Sequence, residues 1–365
     1  VVAGVRYRFL LERVHQAAVF TIPVDERVEL HYTIGRRMLQ SMEERQREEH
    51  VFDIVNHLNL ARKFVTDPEE ALEVAKLNYQ AGQKALDSAA YNTARKLLEA
   101  ARDFLPAGAW ADQYHLTMGI HKDLARADLI MSDFAAADAR TREILANAKT
   151  DLEKARIYET RLSMLNSQNR LDEAIIEGFE GLRLVGVRLS RRGVQLQTVK
   201  ELTGALSRMR GKEAQDLLNL PMVEEPRIIV AMNIIKNLPV PLVFTDPDLF
   251  IVVVLRAVNL SVKYGLSSVS AYAFLNLGTV HQVLFQNYKK GAELGNVAIQ
   301  LCDMFHDLDM KSKIYYVYGL FNLWFQKHGR DAIPFYEDAY RAAREAGDMV
   351  FGSYSIGYIA YQRYD

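Results

Sequence analysis

The chain has 365 residues, of which 49% are hydrophobic and 25% charged, and its formal net charge at pH 7 is -1. These values exclude disorder caused by low hydrophobicity and high net charge. Because so small a charge gives no overall attraction for nucleic acid or an anionic membrane, we expect neither as a partner. The single cysteine, Cys302, excludes a disulfide framework and a thiolate zinc cluster, which fits the reducing cytoplasm.

No segment of the sequence has the character of a membrane span or a secretory signal. The most apolar stretch, residues 238–255, is interrupted by prolines and aspartates and falls short of the ~20 apolar residues that a span needs. The first residues include Arg6, Arg8 and Glu12, so they lack the apolar run of a signal peptide. Since the sequence lacks an initial methionine and stops just after a helical pattern, we expect a segment of a longer protein.

The predicted elements begin with one short strand and continue as helices. Residues 5–10 (VRYRFL) are rich in β-branched and aromatic side chains, which predicts a strand before a helix that starts near Leu11. From there on, apolar residues recur at spacings of three and four, as in amphipathic helices. The Asp67-Pro68 and Asp246-Pro247 pairs each combine a capping carboxylate with a first-turn proline and predict helix starts. Gly265 predicts the end of the second of these helices.

Internal repeats are the strongest feature of the sequence. In the first half, a bulky residue followed three positions later by alanine recurs at steps of 43 and 37 residues, and each occurrence is expected to open the second helix of a pair. These positions are Tyr91 and Ala94, Phe134 and Ala137, and Leu171 and Ala174. In the second half, Gly278, Gly319 and Gly357 recur at steps of 41 and 38 residues.

The partner helices of the second half repeat as well. A face of mostly small residues recurs after 41 residues and suits close helix packing. Its members are Gly291, Gly295 and Ala298, followed by Ala332, Tyr336 and Ala339. Because one helical pair cannot bury both of its faces, such pairs stack on their neighbours. We therefore predict an all-α, tetratricopeptide-like helical-repeat solenoid that winds into a superhelix, with sub-arrays at 46–187 and 228–365 separated by an irregular basic connector at 188–227.

The N-terminal segment resembles the closing part of the AAA or STAND-type ATPase module in large multidomain signalling proteins. Leu30-His31 and Ile34-Gly35-Arg36 match the LH-x-x-IGR motif of that family, and residues 52–59 (FDIVNHLN) are similar to the start of its helical repeats. The resemblance continues to residues 216–221 (DLLNLP). It implies that residues 1–45 end a small winged-helix-like element, and that the parent protein combines kinase, ATPase and histidine kinase domains, as in two-component systems.

The sequence contains no motif that predicts catalysis, a metal or a cofactor. It has no phosphate-binding loop, no H-E-x-x-H and no G-x-S-x-G. His115 and His121 lie near Asp123 and Asp128, but a spacing of six does not place two histidines on one helical face, so we interpret these as solvated helix residues. Cys302 lies in an apolar helical pattern and is interpreted as a packed thiol.

The aromatic segment at residues 314–325 (IYYVYGLFNLWF) allows two interpretations. Its large side chains suit the core between repeats. Alternatively, Tyr315, Tyr318 and Asn322 form one stripe on the inner surface of the solenoid. There, Asn276 and His281 of the preceding repeat would complete an aromatic and polar groove for a peptide or a small ligand.

The basic stretch at residues 188–212 contains seven Lys or Arg residues against one acid, Glu201. Contact with phosphates is one interpretation of this stretch. The interleaved leucines and valines instead favour an amphipathic connector, whose cationic face of Arg188, Arg191 and Arg192 docks on an acidic neighbouring domain.

These observations predict a non-catalytic scaffold or sensor region that binds protein partners or the flanking kinase and ATPase domains and relays occupancy to them. Two alternatives remain open. The first is a stand-alone receptor that holds a peptide or small molecule in its concave groove. The second is an all-helical enzyme whose residues come from distant repeats. The sequence leaves the oligomeric state open.

Overall fold

The computed structural model describes residues 22–325 and 327–364, and their secondary structure is helical. Within these ranges there is neither a strand nor a sheet, only an isolated parallel bridge between Met222 and Leu266. The predicted all-α helical-repeat class is confirmed. The strand predicted at residues 5–10 and the helix predicted from Leu11 lie outside the described residues.

The chain divides into two compact units, Val1–Asn147 and Ala148–Asp365. In the first unit α1 packs on α3, α4 pairs with α5, and α7 pairs with α8. The helices of this unit are α1 Val24–Ser41, α2 Glu44–Glu49, α3 Val51–Leu60, a 3-10 turn at Arg62–Phe64, α4 Pro68–Asp87, α5 Tyr91–Asp103, α6 Ala109–Asp112, α7 Tyr114–Ile130 and α8 Phe134–Asn147.

The motif at the start of the first unit has a packing role. A Cβ on Gly35 of α1 would lie 2.7 Å from Leu58 Cδ2 of α3, so only glycine allows these helices to approach this closely. Arg36 follows and reaches the Glu70 carboxylate on α4, with Nε 3.4 Å from Oε1. The Gly35-Arg36 pair therefore joins α1 to α3 and α4.

Two polar residues that the sequence analysis placed in solvent are buried in the first unit. Asp128 is completely buried on α7, where its carboxylate lies 3.2 Å from Arg95 Nε of α5. His121 of the same helix is buried with its ring 5.1 Å from that of Trp110. The interpretation as solvated residues is corrected because α7 packs on both α5 and α8, so it has no fully polar face.

The second unit consists of further helical pairs. Here α9 pairs with α10, α15 with α16 and α17 with α18, and α19 packs on α18. The elements of this unit are α9 Asp151–Ser167, α10 Leu171–Leu184, α11 Val194–Arg208, a 3-10 turn at Ala214–Asn219, α12 Pro226–Asn237, α13 Pro239–Thr245, α14 Pro247–Tyr264, α15 Ser268–Val283, α16 Tyr288–Phe305, α17 Leu308–Val317, a π turn at Tyr318–Asn322, a 3-10 turn at Gly329–Ala332, α18 Ile333–Ala346 and α19 Met349–Tyr364.

The predicted helix boundaries agree with the structure at several positions. The Asp67 side chain accepts a hydrogen bond from the Glu70 backbone N–H at 2.9 Å and caps α4, and Asp246 caps α14 in the same way. Gly265 ends α14 with a φ of +116°, a region that favours glycine. The second helices α5, α8 and α10 begin at Tyr91, Phe134 and Leu171, the residues that open the predicted repeats.

The two units part at Asn147, whereas the sequence analysis placed the separation at residues 188–227. Helix α11 lies within the predicted connector and packs on α14 inside the second unit. Glu201 of α11 is only 4% exposed, and its carboxylate is held by Arg256 of α14. Although this stretch is basic in composition, it contains a helix that packs within the second unit.

No individual helix among the described residues combines the length and apolar character needed to cross a membrane. Helices α12 and α13 meet that criterion only when they are counted together, and they are bent by 44° relative to each other.

A candidate ligand groove in the second unit

A groove of about 500 Å³ opens among α12, α13, α15, α17 and α19 of the second unit. Helices α15 and α17 are the first helices of their pairs, and their second helices are α16 and α18. The groove lies on the side of α15 and α17 that faces away from these second helices. Its lining is predominantly apolar. A volume of this size is within the range of about 300 to 1,000 Å³ that is common for sites of small ligands.

Large apolar side chains are exposed on several of the helices that form the groove. Phe244 of α13 is 63% exposed and Phe321 of the π turn is 43% exposed. Val243 and Val350 add exposed aliphatic surface from α13 and α19. Scattered exposed apolar residues are common in proteins, but a contiguous set that lines a concavity is typical of a binding surface.

One wall of the groove is an aromatic cluster around Tyr316. The Tyr316 ring stacks on Tyr354 with centroids 5.8 Å apart and meets Phe351 and Tyr358 edge to face at 5.7 and 5.6 Å. Burial and the neighbouring tyrosines raise the pKa of Tyr316, so its hydroxyl stays neutral at physiological pH. The cluster joins α17 to α19 and gives this wall a fixed shape.

The polar groups in the groove floor belong to α15 and are already hydrogen-bonded. The Asn276 Nδ2 group donates to the Tyr272 carbonyl at 2.8 Å, and the Thr279 hydroxyl donates to the Leu275 carbonyl at 3.3 Å. Thr279 also accepts a hydrogen bond from Asn322 Nδ2 at 3.0 Å. The floor therefore offers limited polar recognition beside a large apolar surface.

A chain of charged residues borders the groove. Lys236 Nζ of α12 lies 2.8 Å from Asp309 and 3.1 Å from Asp307, while Lys313 of α17 contacts Asp309 and lies 3.0 Å from Asp348. Although burial opposes the shift, Asp309 and Asp307 raise the pKa of Lys236. Since both lysines are paired with carboxylates, this border presents little unbalanced charge to a ligand.

The structure places only part of the predicted stripe at the groove. Asn276 lines it. Tyr315 and Tyr318 are buried and turned away, because their hydroxyls donate to Asp303 at 2.8 Å and to Asn296 at 3.0 Å on α16. Because α16 and α17 belong to neighbouring pairs, these two tyrosines belong to the packing between repeats, which is the first of the two interpretations of this segment.

Asn322 is likewise buried between helices and does not line the groove. A Cβ on Gly295 of α16 would lie 2.7 Å from Asn322 Oδ1 and 3.0 Å from Tyr318 Cε2. The small-residue face of α16 therefore packs against the stripe of Tyr315, Tyr318 and Asn322. The structure therefore places this stripe outside the groove, because the glycine face of α16, in the neighbouring pair, receives this side of α17.

His281 lies near the end of α15, outside the groove lining. Its ring is half-buried and packs 5.4 Å from the Phe285 ring. Burial, with a smaller effect of Lys290, lowers the pKa of His281, so the imidazole is neutral near pH 7. The structure gives it no contact with the groove residues that the sequence analysis grouped with it.

The three arginines of the predicted basic face lie in the segment between α10 and α11. Arg191 is paired within the unit, since its guanidinium lies 2.7 Å from the Asp172 carboxylate of α10. Arg188 and Arg192 are exposed. Docking of this face on another domain stays a prediction.

Several groove residues were missed by the sequence analysis, although the sequence contains a signal for them. Tyr316 and Leu320, and likewise Val317 and Phe321, are four residues apart and continue one apolar stripe along α17 and the π turn. The stretch that contains Val243 was considered only as a membrane segment. Its exposed residues instead form the opposite wall of the groove.

The remaining reactive group is Cys302 on α16. It is buried, and burial together with the Asp303 carboxylate raises the pKa of its thiol to about 12. The thiolate that acts as a nucleophile is therefore scarce near neutral pH. In residues 22–325 and 327–364, no group of three or more His, Cys, Asp and Glu side chains could hold a metal ion.

The chain is similar to part of a signalling protein. It is 21% identical over 394 residues to the hybrid signal transduction histidine kinase G of Dictyostelium discoideum. The aligned region is 96% of this chain but only 12% of that protein, so the chain spans a small part of the length of its relative. No family model matches the chain. With its all-α fold, the chain is consistent with a helical-repeat region within a signalling protein.

Proposed function

We propose that this chain is the non-catalytic, partner-binding region of a multidomain cytoplasmic signalling protein that also contains kinase and ATPase domains. The groove of the second unit holds an apolar segment of a protein partner. The observation that carries the proposal is the set of large apolar side chains exposed on α13, the π turn and α19 around one concavity. The similarity to a histidine kinase supports the signalling context.

The occupant is an amphipathic helical peptide. Such a peptide presents apolar side chains at i, i+3, i+4 and i+7, which suits a groove whose walls are Phe244 and Phe321 on opposite sides. The polar back of the peptide would remain in solvent, and its charged ends would meet the charge-paired border formed by Lys236 and Lys313. A highly anionic ligand would find both lysines of this border already paired with carboxylates.

The border also offers a route by which occupancy could be relayed. Lys236 connects α12 to the first turn of α17 through Asp307 and Asp309, and Lys313 connects α17 to the start of α19 through Asp348. A peptide that moves α13 away from α19 would strain first the ion pairs of Lys236 and then the ion pair between Lys313 and Asp348. The position of α19 would then depend on whether the groove is filled.

A small apolar molecule is the second candidate occupant. The groove volume of about 500 Å³ favours it, because drug-sized ligands fill cavities of about this size. The aromatic wall around Tyr316 would give such a molecule a flat surface for stacking.

The uncharged dye Nile red tests the groove, since it binds apolar surfaces and changes its fluorescence when it does. We expect saturable binding to one site per chain. Phe321→Ala should weaken this binding about tenfold, because the substitution removes the contact area that roughly half of a phenyl ring offers to the dye. The matched control is Phe52→Ala in the first unit, since Phe52 is 43% exposed, as is Phe321.

Competition then separates the two occupants. An amphipathic model helix with leucines at i, i+3, i+4 and i+7 should displace Nile red, whereas a scrambled peptide of the same composition should not. Displacement by small aromatic molecules alone would favour the second candidate. Equal loss of dye binding in the two phenylalanine variants would show that the groove is not the site where Nile red binds.

A further inference from the structure

A second concavity of about 660 Å³ lies in the same unit, between α11, α12 and α14. Its character is opposite to that of the groove, because cationic side chains from all three helices surround it. They are Lys200 and Arg208 of α11, Arg227 of α12, and Arg256 and Lys263 of α14. The two basic residues of α11 come from the basic stretch at residues 188–212, which the proposed function does not use.

A buried carboxylate organises the base of this pocket. Glu201 of α11 accepts from Arg256, with the guanidinium 2.7 Å from Oε1, and from Asn259 Nδ2, which lies 2.8 Å from Oε2. The Asn259 side-chain oxygen in turn accepts from Arg208 at 2.8 Å. This network neutralises Glu201 and fixes two arginines at the pocket.

The cations are not fully balanced by the chain itself. Neither Lys200 nor Arg227 forms an ion pair with any of the described residues, and both side chains are exposed at the pocket. The Arg256 Nε N–H is buried without an acceptor in the part of the chain that the structure describes. Of the five cations, Arg256 is paired with Glu201, and the other carboxylate of the lining is that of Glu225.

This surplus is local, because the whole chain has a formal net charge of -1. Arginine and lysine side chains that converge from several directions recognise phosphate groups through charge-assisted hydrogen bonds to the phosphate oxygens. The pocket is concave and has the volume of a small-molecule site. Val187 and Ile228 add apolar surface at its edge.

We propose that this pocket binds a phosphate-bearing small molecule, with the phosphate held by Lys200, Arg208 and Arg227 and the remainder of the ligand against Val187 and Ile228. The site is distinct from the groove of the same unit, and the two can succeed or fail independently. A concave pocket favours a small phosphorylated ligand over nucleic acid, which needs a long basic surface.

Titration calorimetry of the full chain with sodium pyrophosphate at low ionic strength tests this site. We expect one saturable site per chain and an affinity that falls as salt is added, because exposed charges are screened. Lys200→Gln and Arg227→Gln should each weaken binding about tenfold, since each removes one charge-assisted contact. The control is Arg192→Gln, which removes a cation that is also exposed but lies outside the pocket.

Circular dichroism melting of each variant separates a lost site from a lost fold. Both pocket variants should melt as the unmodified chain does, because neither side chain is buried or paired. No saturable pyrophosphate binding, or equal weakening in Arg192→Gln, would overturn the proposal. It would also be overturned if single-stranded RNA bound through Lys200 and Arg227 and pyrophosphate did not compete.

Discussion

Asp309 is the residue on which the charged border of the groove depends. It contacts both Lys236 and Lys313, so it joins α12 and α17 through one carboxylate. Burial alone would raise the pKa of Asp309, but the two lysines outweigh it and hold the pKa below its usual range. The ionised form is therefore stabilised in the folded chain.

Asp309→Asn should lower the free energy of unfolding at pH 7 by about 1 kcal/mol, a value that allows for solvent screening of a side chain that is 37% exposed. The contribution is complete above the unfolded pKa of about 3.9 and is lost as pH falls through the lower folded pKa. The difference between the variant and the unmodified chain should therefore shrink as pH falls below about 4. Urea unfolding at a series of pH values measures it.

Asp338→Asn is the control for this prediction. Asp338 is 36% exposed and pairs with Arg341 within the same helix, so it matches Asp309 in exposure but joins no two helices. Its replacement should cost less than about 0.5 kcal/mol. A pH-independent difference for Asp309→Asn would show that the carboxylate acts through packing and not through its charge.

Single residues could be predicted from the sequence where the governing interaction is local. Asp67 caps α4 because the capped N–H lies three residues away, so the spacing alone identifies it. The direction of Tyr318 depends instead on Gly295, which is 23 positions earlier in the chain and faces it from α16. The periodicity of α17 defines two stripes, and only the small-residue face of α16 determines which of them is buried.

At the scale of elements, two glycines bring the backbones of paired helices close together. A Cβ on Gly278 of α15 would lie 2.8 Å from the backbone oxygen of Gly291 on α16, and a Cβ on Gly291 would lie 2.7 Å from the oxygen of Gly278. A backbone oxygen cannot move aside as a side chain can. The pair therefore sets the separation of α15 and α16.

Gly278→Ala should destabilise the second unit by about 3 kcal/mol, because the added methyl group forces the two helices apart. Gly357 aligns with Gly278 in the repeat, yet a Cβ there would meet nothing within 4 Å. Gly357→Ala should therefore stabilise α19 by roughly 0.5 to 1 kcal/mol, since alanine has the higher helix propensity. Urea unfolding of both variants provides the measurement, and a neutral Gly278→Ala would mean that α15 and α16 can separate freely.

Repeats were predictable at this scale because the second helix of each pair opens with a similar residue pattern, as at Tyr91, Phe134 and Leu171. Helix α11 was assigned to an irregular basic connector, in which interleaved leucines and valines favoured an amphipathic segment. Its packing depends on a single buried acid, Glu201, which finds Arg256 on α14, 55 positions later. A composition average cannot reveal a pairing between residues so far apart in sequence.

At the scale of the whole molecule, the two units differ in what they offer to ligands. The aromatic groove and the cationic pocket both lie within Ala148–Asp365, as does the cluster around Tyr316. The first unit has its own core on α4, α5 and α7, in which Leu98 and Leu124 are fully buried. Each unit therefore has the buried apolar surface that independent folding requires.

A chain shortened to Ala148–Asp365 should consequently fold and keep both sites. We expect it to unfold in one cooperative urea transition, and to bind Nile red and pyrophosphate within about threefold of the full chain, a difference of less than 1 kcal/mol in binding free energy. Analytical ultracentrifugation should be run alongside, to show that the fragment is compared with the full chain in the same oligomeric state. Loss of a cooperative transition would mean that the second unit depends on the first for its stability. Loss of either affinity in a cooperatively folded fragment would instead mean that the first unit shapes the site, and that the binding properties belong to the chain as a whole.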